Sequence, residues 1–119
     1  MKIAVVGQGN VGTHLVHGLS AKHEVTSFGR NDRVSNDFDL ILVAVPDAEV
    51  LGLCEHLPSE TLVAHTAGAV SLPEGSPRGV FYPLYSFSKE QALDWSKVPL
   101  LLEASNEPAL ATLNFWRKT

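Results

Sequence analysis

The sequence predicts an α/β domain over residues 1–119, built on a doubly wound, mainly parallel sheet of about six strands. Three observations carry that prediction. Short apolar runs alternate with helix-like stretches along the chain, a pattern that calls for parallel strands joined by crossovers. The first run, Ile3-Ala4-Val5-Val6, is unbroken and stops at Gly7, as a central strand buried on both faces does. Finally, 119 residues, 45% of them apolar, are enough for one domain with a core.

Each element has its own local reason. Val11, Leu15, Gly18 and Leu19 recur at helical spacing with Thr13, His14 and His17 opposite, so Asn10 to about Ala21 reads as an amphipathic helix. Glu24–Phe28 reads as a second strand and Leu40–Val45 as a third, the most hydrophobic in the chain. Only the 11 residues from Gly29 to Asp39 join these two, too few for a helix plus another strand, so this half of the sheet is shortened. Pro46 and Asp47 open a second helix, with Asp47 and Glu49 at the positive end of its dipole and Val50, Cys54 and Leu57 as its buried stripe. Thr61–His65 is a fourth strand, followed by a loop rich in Gly, Ser and Pro through Gly79. Val80–Tyr82 and Val98–Glu103 are the fifth and sixth strands, and a last helix starts near the capping residue Asn106 with Pro108 in its first turn. The short second connection puts the expected reversal of strand order between the first and third strands.

Composition excludes several functions. A formal charge of −4 leaves no basic excess for nucleic acid or an anionic membrane. The longest apolar run, Leu40 to Val45, falls far short of the ~20 residues of a membrane span, and the apolar run after Lys2 is too early and too short for a signal peptide. A cytoplasmic protein is expected. Cys54 is the single cysteine, which excludes an internal disulfide and a thiolate zinc site and fits a reducing compartment. His14 and His17 lie three apart without a third ligand and read as a solvated helix face rather than a metal site. Neither a G-x-S-x-G elbow nor a G-x-x-x-x-G-K-[ST] loop is present. Charged residues make up 18%, and Phe115 and Trp116 crowd one short helix, so apolar surface is expected to be covered by a partner, most simply in a homodimer.

Gly7-Gln8-Gly9-Asn10-Val11-Gly12 fits G-x-G-x-x-G, a weak pattern alone but a specific one between a strand and an amphipathic helix. Gly7 makes the tight turn, Gly9 lets a pyrophosphate approach the backbone, and Gly12 lets the helix pack against the strand. Helix amides near Asn10 and Val11 then point at the phosphates. An NAD site places Asp or Glu at the end of the second strand. Here Glu24 comes too early and Asp32 lies past the end, while Arg30 is placed to grip a 2′-phosphate, with Ser27, Asn31 or Arg33 assisting. A solvated loop arginine is the alternative for Arg30; NADP is the expected cofactor, ahead of NAD. Val45-Pro46-Asp47-Ala48 and His65-Thr66-Ala67-Gly68 face the same crevice, with His65 and Thr66 either beside the nicotinamide or in a plain strand-ending turn.

With these residues the chain resembles the Rossmann-like family that carries domain of unknown function 2520, distant relatives of 6-phosphogluconate dehydrogenase and pyrroline-5-carboxylate reductase. The resemblance rests on Ile3–Gly12, on Asp39–Asp47, on His65-Thr66-Ala67-Gly68, and on the run Gly79-Val80-Phe81-Tyr82-Pro83-Leu84-Tyr85-Ser86-Phe87-Ser88-Lys89. The first two are common to the whole dehydrogenase group, and the last two are the more specific. Family members usually carry Gln-Thr where this chain has Tyr85-Ser86. The family's helical C-terminal domain, which forms dimers and closes the cleft, is absent from these residues, and the last helix reaches Thr119 without a stop signal, so a shortened chain or a fragment is expected. The resemblance implies the NADP-binding domain of an oxidoreductase whose small-molecule substrate is unassigned. His65, Thr66, Tyr82 and Ser86 are the polar candidates on the substrate side, and no residue is assigned as acid or base. A non-catalytic dinucleotide sensor is the competing function.

Overall fold

The computed structural model describes residues 1–84 and 94–115. The chain runs β1 (Lys2–Val6), α1 (Asn10–Leu19), β2 (Glu24–Phe28), β3 (Leu40–Val43), α2 (Asp47–Glu55), β4 (Leu62–His65), β5 (Arg78–Pro83), a single 3₁₀ turn (Trp95–Lys97), β6 (Leu100–Ala104) and α3 (Glu107–Leu113). The six strands form one sheet in the order β2-β1-β3-β4-β5-β6, parallel except for the antiparallel β6 at its edge. This is the doubly wound, Rossmann-like architecture the alternation predicts, with the reversal of order between β1 and β3.

Period-two alternation builds the two sides of the core. Ile3 and Val5 of β1 and Leu40 and Leu42 of β3 face one side, in one cluster with Leu15 and Leu19 of α1 and with Leu113 of α3, which packs over Gly79 of β5. Ala4, Val6, Ile41 and Val43 face the other side, under Val50 and Cys54 of α2. Both central strands are therefore sealed on both faces, which is why they read as unbroken apolar runs. The segment from residue 29 to 39 forms no helix; Val34 is buried in its place and Phe38 packs edge-on against Phe28, with ring centroids 5.7 Å apart.

Several boundaries differ from the sequence reading. The first helix ends at Leu19, where the Ser20 amide and hydroxyl both bond the Val16 carbonyl, and β3 ends at Val43 because Pro46 must lie outside the ladder. β5 starts at Arg78, inside the stretch read as loop, because Gly79 and Val80 pair with Ala104 and Glu103 of β6. His14 is buried, not solvated: α1 turns this residue inward, and its carbonyl accepts a bond from the Trp95 indole at 3.3 Å. Trp95 lies so close to α1 that a β-carbon on Gly18 would stand 2.3 Å from its indole nitrogen. Leu57, expected on the buried stripe of α2, lies past its end and is half-buried. Phe115 is half-buried and stacks on Phe81 with centroids 6.0 Å apart, while Trp116 and the motif residues Tyr85 to Lys89 lie outside the described residues. Among the described residues no helix is long and apolar enough to cross a membrane.

Candidate functional site

Strand register brings four chain positions to one level. Val6 pairs with Phe28 on one side and Val43 on the other, and Val43 pairs with His65. The next residues, Gly7, Gly29, Ala44 and Thr66, therefore emerge together at the carboxyl edge of the sheet. Three backbone bonds carry the ladder one step further: Gly7 N–H to Phe28 O at 2.9 Å, Ala44 N–H to Val6 O at 2.8 Å and Thr66 N–H to Val43 O at 3.1 Å. All four residues line a cavity of about 460 Å³ over the point where strand order reverses. The glycine loop forms one wall through Gln8, Gly9, Asn10 and Val11; Val45, Pro46 and Asp47 form the opposite wall, with Arg30 and Ala67 at the margins.

The three glycines do three different jobs. Gly7 has φ +115°, and a β-carbon there would stand 2.0 Å from the Ala44 carbonyl oxygen, so only glycine makes this turn. A β-carbon on Gly12 would stand 2.1 Å from the Gly7 carbonyl, which is how closely α1 packs on the loop. Gly9 is the contrast: its φ is ordinary, and nothing lies within 4 Å of where a β-carbon would be. Packing does not require glycine at that position, and its bare backbone borders the cavity. Gly9 is also the N-cap of α1, where it contributes no capping side chain, and the helix has no acidic residue in its first turn. That leaves the positive end of the dipole facing the open space.

The remaining predicted residues divide. Arg30 lines the cavity and reaches across to α2, where Nη1 donates to both carboxylate oxygens of Glu49, at 2.7 and 2.6 Å. Val45, Pro46 and Thr66 also line it, and the Thr66 hydroxyl donates to the Val43 carbonyl at 3.2 Å, so its lone pairs rather than its proton remain for a ligand. His65 does not belong to the crevice. It is 0% exposed; its Nδ1 accepts from the Ala67 amide at 3.1 Å, which leaves the proton on Nε2 to bond the Ser71 carbonyl at 2.8 Å. A neutral imidazole engaged at both nitrogens braces the loop after β4 and has no access to a ligand. Tyr82 packs its ring against Gly68, where a β-carbon would come within 2.2 Å of it, and Ser86 lies outside the described residues. Asp32, past the end of β2, closes the turn there by accepting from the Gly29 amide at 2.7 Å. Sequence reasoning missed the Glu49 contact, because it joins residues 19 apart with no local pattern to betray it. Among the described residues no three His, Cys, Asp or Glu side chains group to hold a metal ion.

No family model matches the chain, and no curated protein matches it. Among solved structures, one from Bacteroides fragilis, reported as a candidate NADP oxidoreductase, superposes with a TM-score of 0.79 at 26% identity. That likeness covers 96% of this chain and 55% of the other, so the chain spans a little over half the length of the Bacteroides protein. A Staphylococcus aureus structure, reported as a candidate 2-dehydropantoate 2-reductase, aligns over 71% of this chain and 39% of its own at 17% identity and a TM-score of 0.40, too distant to bear on function. The fold of this chain is that of the Bacteroides structure's matching portion: a Rossmann-like domain with a mostly parallel six-stranded sheet.

Proposed function

We propose that this chain is the NADP-binding part of an oxidoreductase acting on a small molecule. The observation that carries the proposal is Gly9, a residue the fold leaves free to be anything, kept bare at the helix N-terminus that opens into the switch-point cavity. Backbone amides of the loop and of the first turn of α1 would hold the pyrophosphate, and Gly7 and Gly12 keep loop and helix in register to do so. Arg30 would meet the 2′-phosphate on the adenosine side, and Pro46 and Thr66 would border the dinucleotide on the other walls. When bound, the nicotinamide supplies the hydride chemistry; the chain's own part is to bind, orient and shield. The Bacteroides structure, named for the same cofactor, supports this reading at the level of the cofactor. Resemblance to the family carrying domain of unknown function 2520 extends it to a dimeric enzyme whose second domain completes the substrate cleft. Among the described residues that line the cavity only Arg30 and Asp47 carry charge, which suits a site that holds a cofactor and takes its acid–base groups from elsewhere.

Paired titrations of NADP and NAD against wild type, Arg30→Ala and Arg30→Asp test the proposal. Loss of a charge-assisted bond worth about 1.5–3 kcal/mol lowers NADP affinity roughly 10- to 150-fold in Arg30→Ala, with NAD held within about threefold. Arg30→Asp repels the phosphate, offers the ribose hydroxyls an acceptor and shifts preference toward NAD. Equal losses for both cofactors would take Arg30 out of the phosphate site, and a wild-type chain that binds neither cofactor would sink the reading.

A further inference from the structure

We propose that Glu49 is a specificity-determining residue, because it holds Nη1 of Arg30, a donor for which an incoming 2′-phosphate competes. The inference rests on Arg30 as the phosphate reader and adds a second residue that no glycine-loop argument includes. One guanidinium nitrogen of Arg30 serves both oxygens of the Glu49 carboxylate, at 2.7 and 2.6 Å. Arg30 borders the cavity from the segment after β2, and Glu49 stands in the first turn of α2, on the other side of the crevice. The pair therefore straps the two sides together at the place where the adenosine end of a dinucleotide would lie.

A carboxylate and a phosphate present the same feature to a guanidinium, two anionic oxygens a short distance apart. Glu49 is thus a built-in substitute for the phosphate. A ribose phosphate carries close to two negative charges against one on Glu49, so it wins the exchange. Two costs remain: the pair is opened, and Glu49 is left with a like charge beside it. NAD has a hydroxyl at this point and opens nothing. Glu49 accordingly weakens NADP binding and leaves NAD binding alone, which narrows the preference that Arg30 creates.

The size of the effect follows from exposure. The side chains of Arg30 and Glu49 are 55% and 43% exposed, and solvent-exposed pairs of this kind resist opening by about two- to fivefold. Apparent affinity scales with the fraction of Arg30 that is available, so Glu49→Gln is expected to tighten NADP by about two- to fivefold and to change NAD by less than 1.5-fold. In the Arg30→Ala background the gain from Glu49→Gln should fall below about twofold, since no pair is left to open.

The experiment is calorimetric titration of NADP and NAD against wild type, Glu49→Gln, Arg30→Ala and the double variant, with melting curves to confirm that each is folded. Glu49→Ala serves as a second pair-breaking variant. Tightening confined to NADP and dependent on Arg30 is the expected result. If Arg30→Ala loses NADP while Glu49→Gln gains none, the strap is overturned and Arg30 remains the reader. If Glu49→Gln helps both cofactors equally, it acts only as a general negative charge, and the proposal fails. If Arg30→Ala leaves NADP affinity unchanged, the reading of Arg30 falls and takes the role of Glu49 with it.

Discussion

Glycines 9 and 12 stand three residues apart in one motif, yet the structure predicts opposite consequences for changing them. In Gly12→Ala the new β-carbon would lie 2.1 Å from the Gly7 carbonyl oxygen, more than 1 Å inside the 3.4 Å at which ordinary contact begins. The atom it meets is backbone and cannot rotate away, so α1 must lift off the loop. Overpacking of this kind costs about 1–3 kcal/mol. An unfolding entropy of about 2.1 cal/mol/K per residue over a chain of this length makes each kcal/mol worth about 4 °C, so Tm should fall by about 4–12 °C. In Gly9→Val the β-carbon meets nothing within 4 Å, and the cost is that of a poorer N-cap, at most about 1 kcal/mol and 4 °C. The valine instead fills the space proposed for the pyrophosphate. Losing one or two charge-assisted bonds there, each about 1.5–3 kcal/mol, weakens cofactor binding at least tenfold. Thermal unfolding by circular dichroism and titration with NADPH measure the two effects separately. A Gly12→Ala chain melting like wild type would refute the packing argument, and a Gly9→Val chain binding within threefold of wild type would place the phosphates elsewhere.

Three further outcomes are open to direct measurement. Burial pushes the Cys54 thiol up to about 11, against a smaller opposing pull from Arg78, so at pH 8 only about one thiol in a thousand is ionised and a thiol reagent should modify the native chain far more slowly than the denatured one. The same shift ties stability to pH: the folded state holds this proton more firmly than the unfolded one, so its contribution is whole below pH 9.0 and is lost as pH rises toward 11, by about 2–3 kcal/mol in denaturant titrations; Cys54→Ala should flatten that slope. At the last helix, the Asn106 side chain accepts from the Ala109 amide at 2.8 Å, so Asn106→Ala should cost about 1 kcal/mol, read as a drop of about 4 °C in Tm, whereas Asn106→Asp retains the cap.

Most of the architecture was legible in the sequence because local patterns dictate it. An unbroken apolar run such as Leu40–Val43 has no polar side to show to water, so it must sit inside a sheet covered on both faces. The glycine spacing and the short second connection together located the crevice between β1 and β3, since turn chemistry and chain reach are properties of neighbouring residues. What tertiary structure alone decided is how individual polar side chains spend their hydrogen bonds. His65 ends a strand beside the crevice, and its position gave no sign that Ala67 and Ser71 would occupy both its nitrogens and seal it away. His14 looks solvated in the helical pattern until Trp95, from far along the chain, closes over α1. Arg30 was placed at the crevice by its distance from the glycines, but its partner Glu49 comes from another element. The physical reason is that backbone geometry and hydrophobic periodicity follow from the types of neighbouring residues, whereas a polar group bonds whatever the folded chain brings within hydrogen-bond reach, from the next loop as for His65 or from a distant element as for His14 and Arg30.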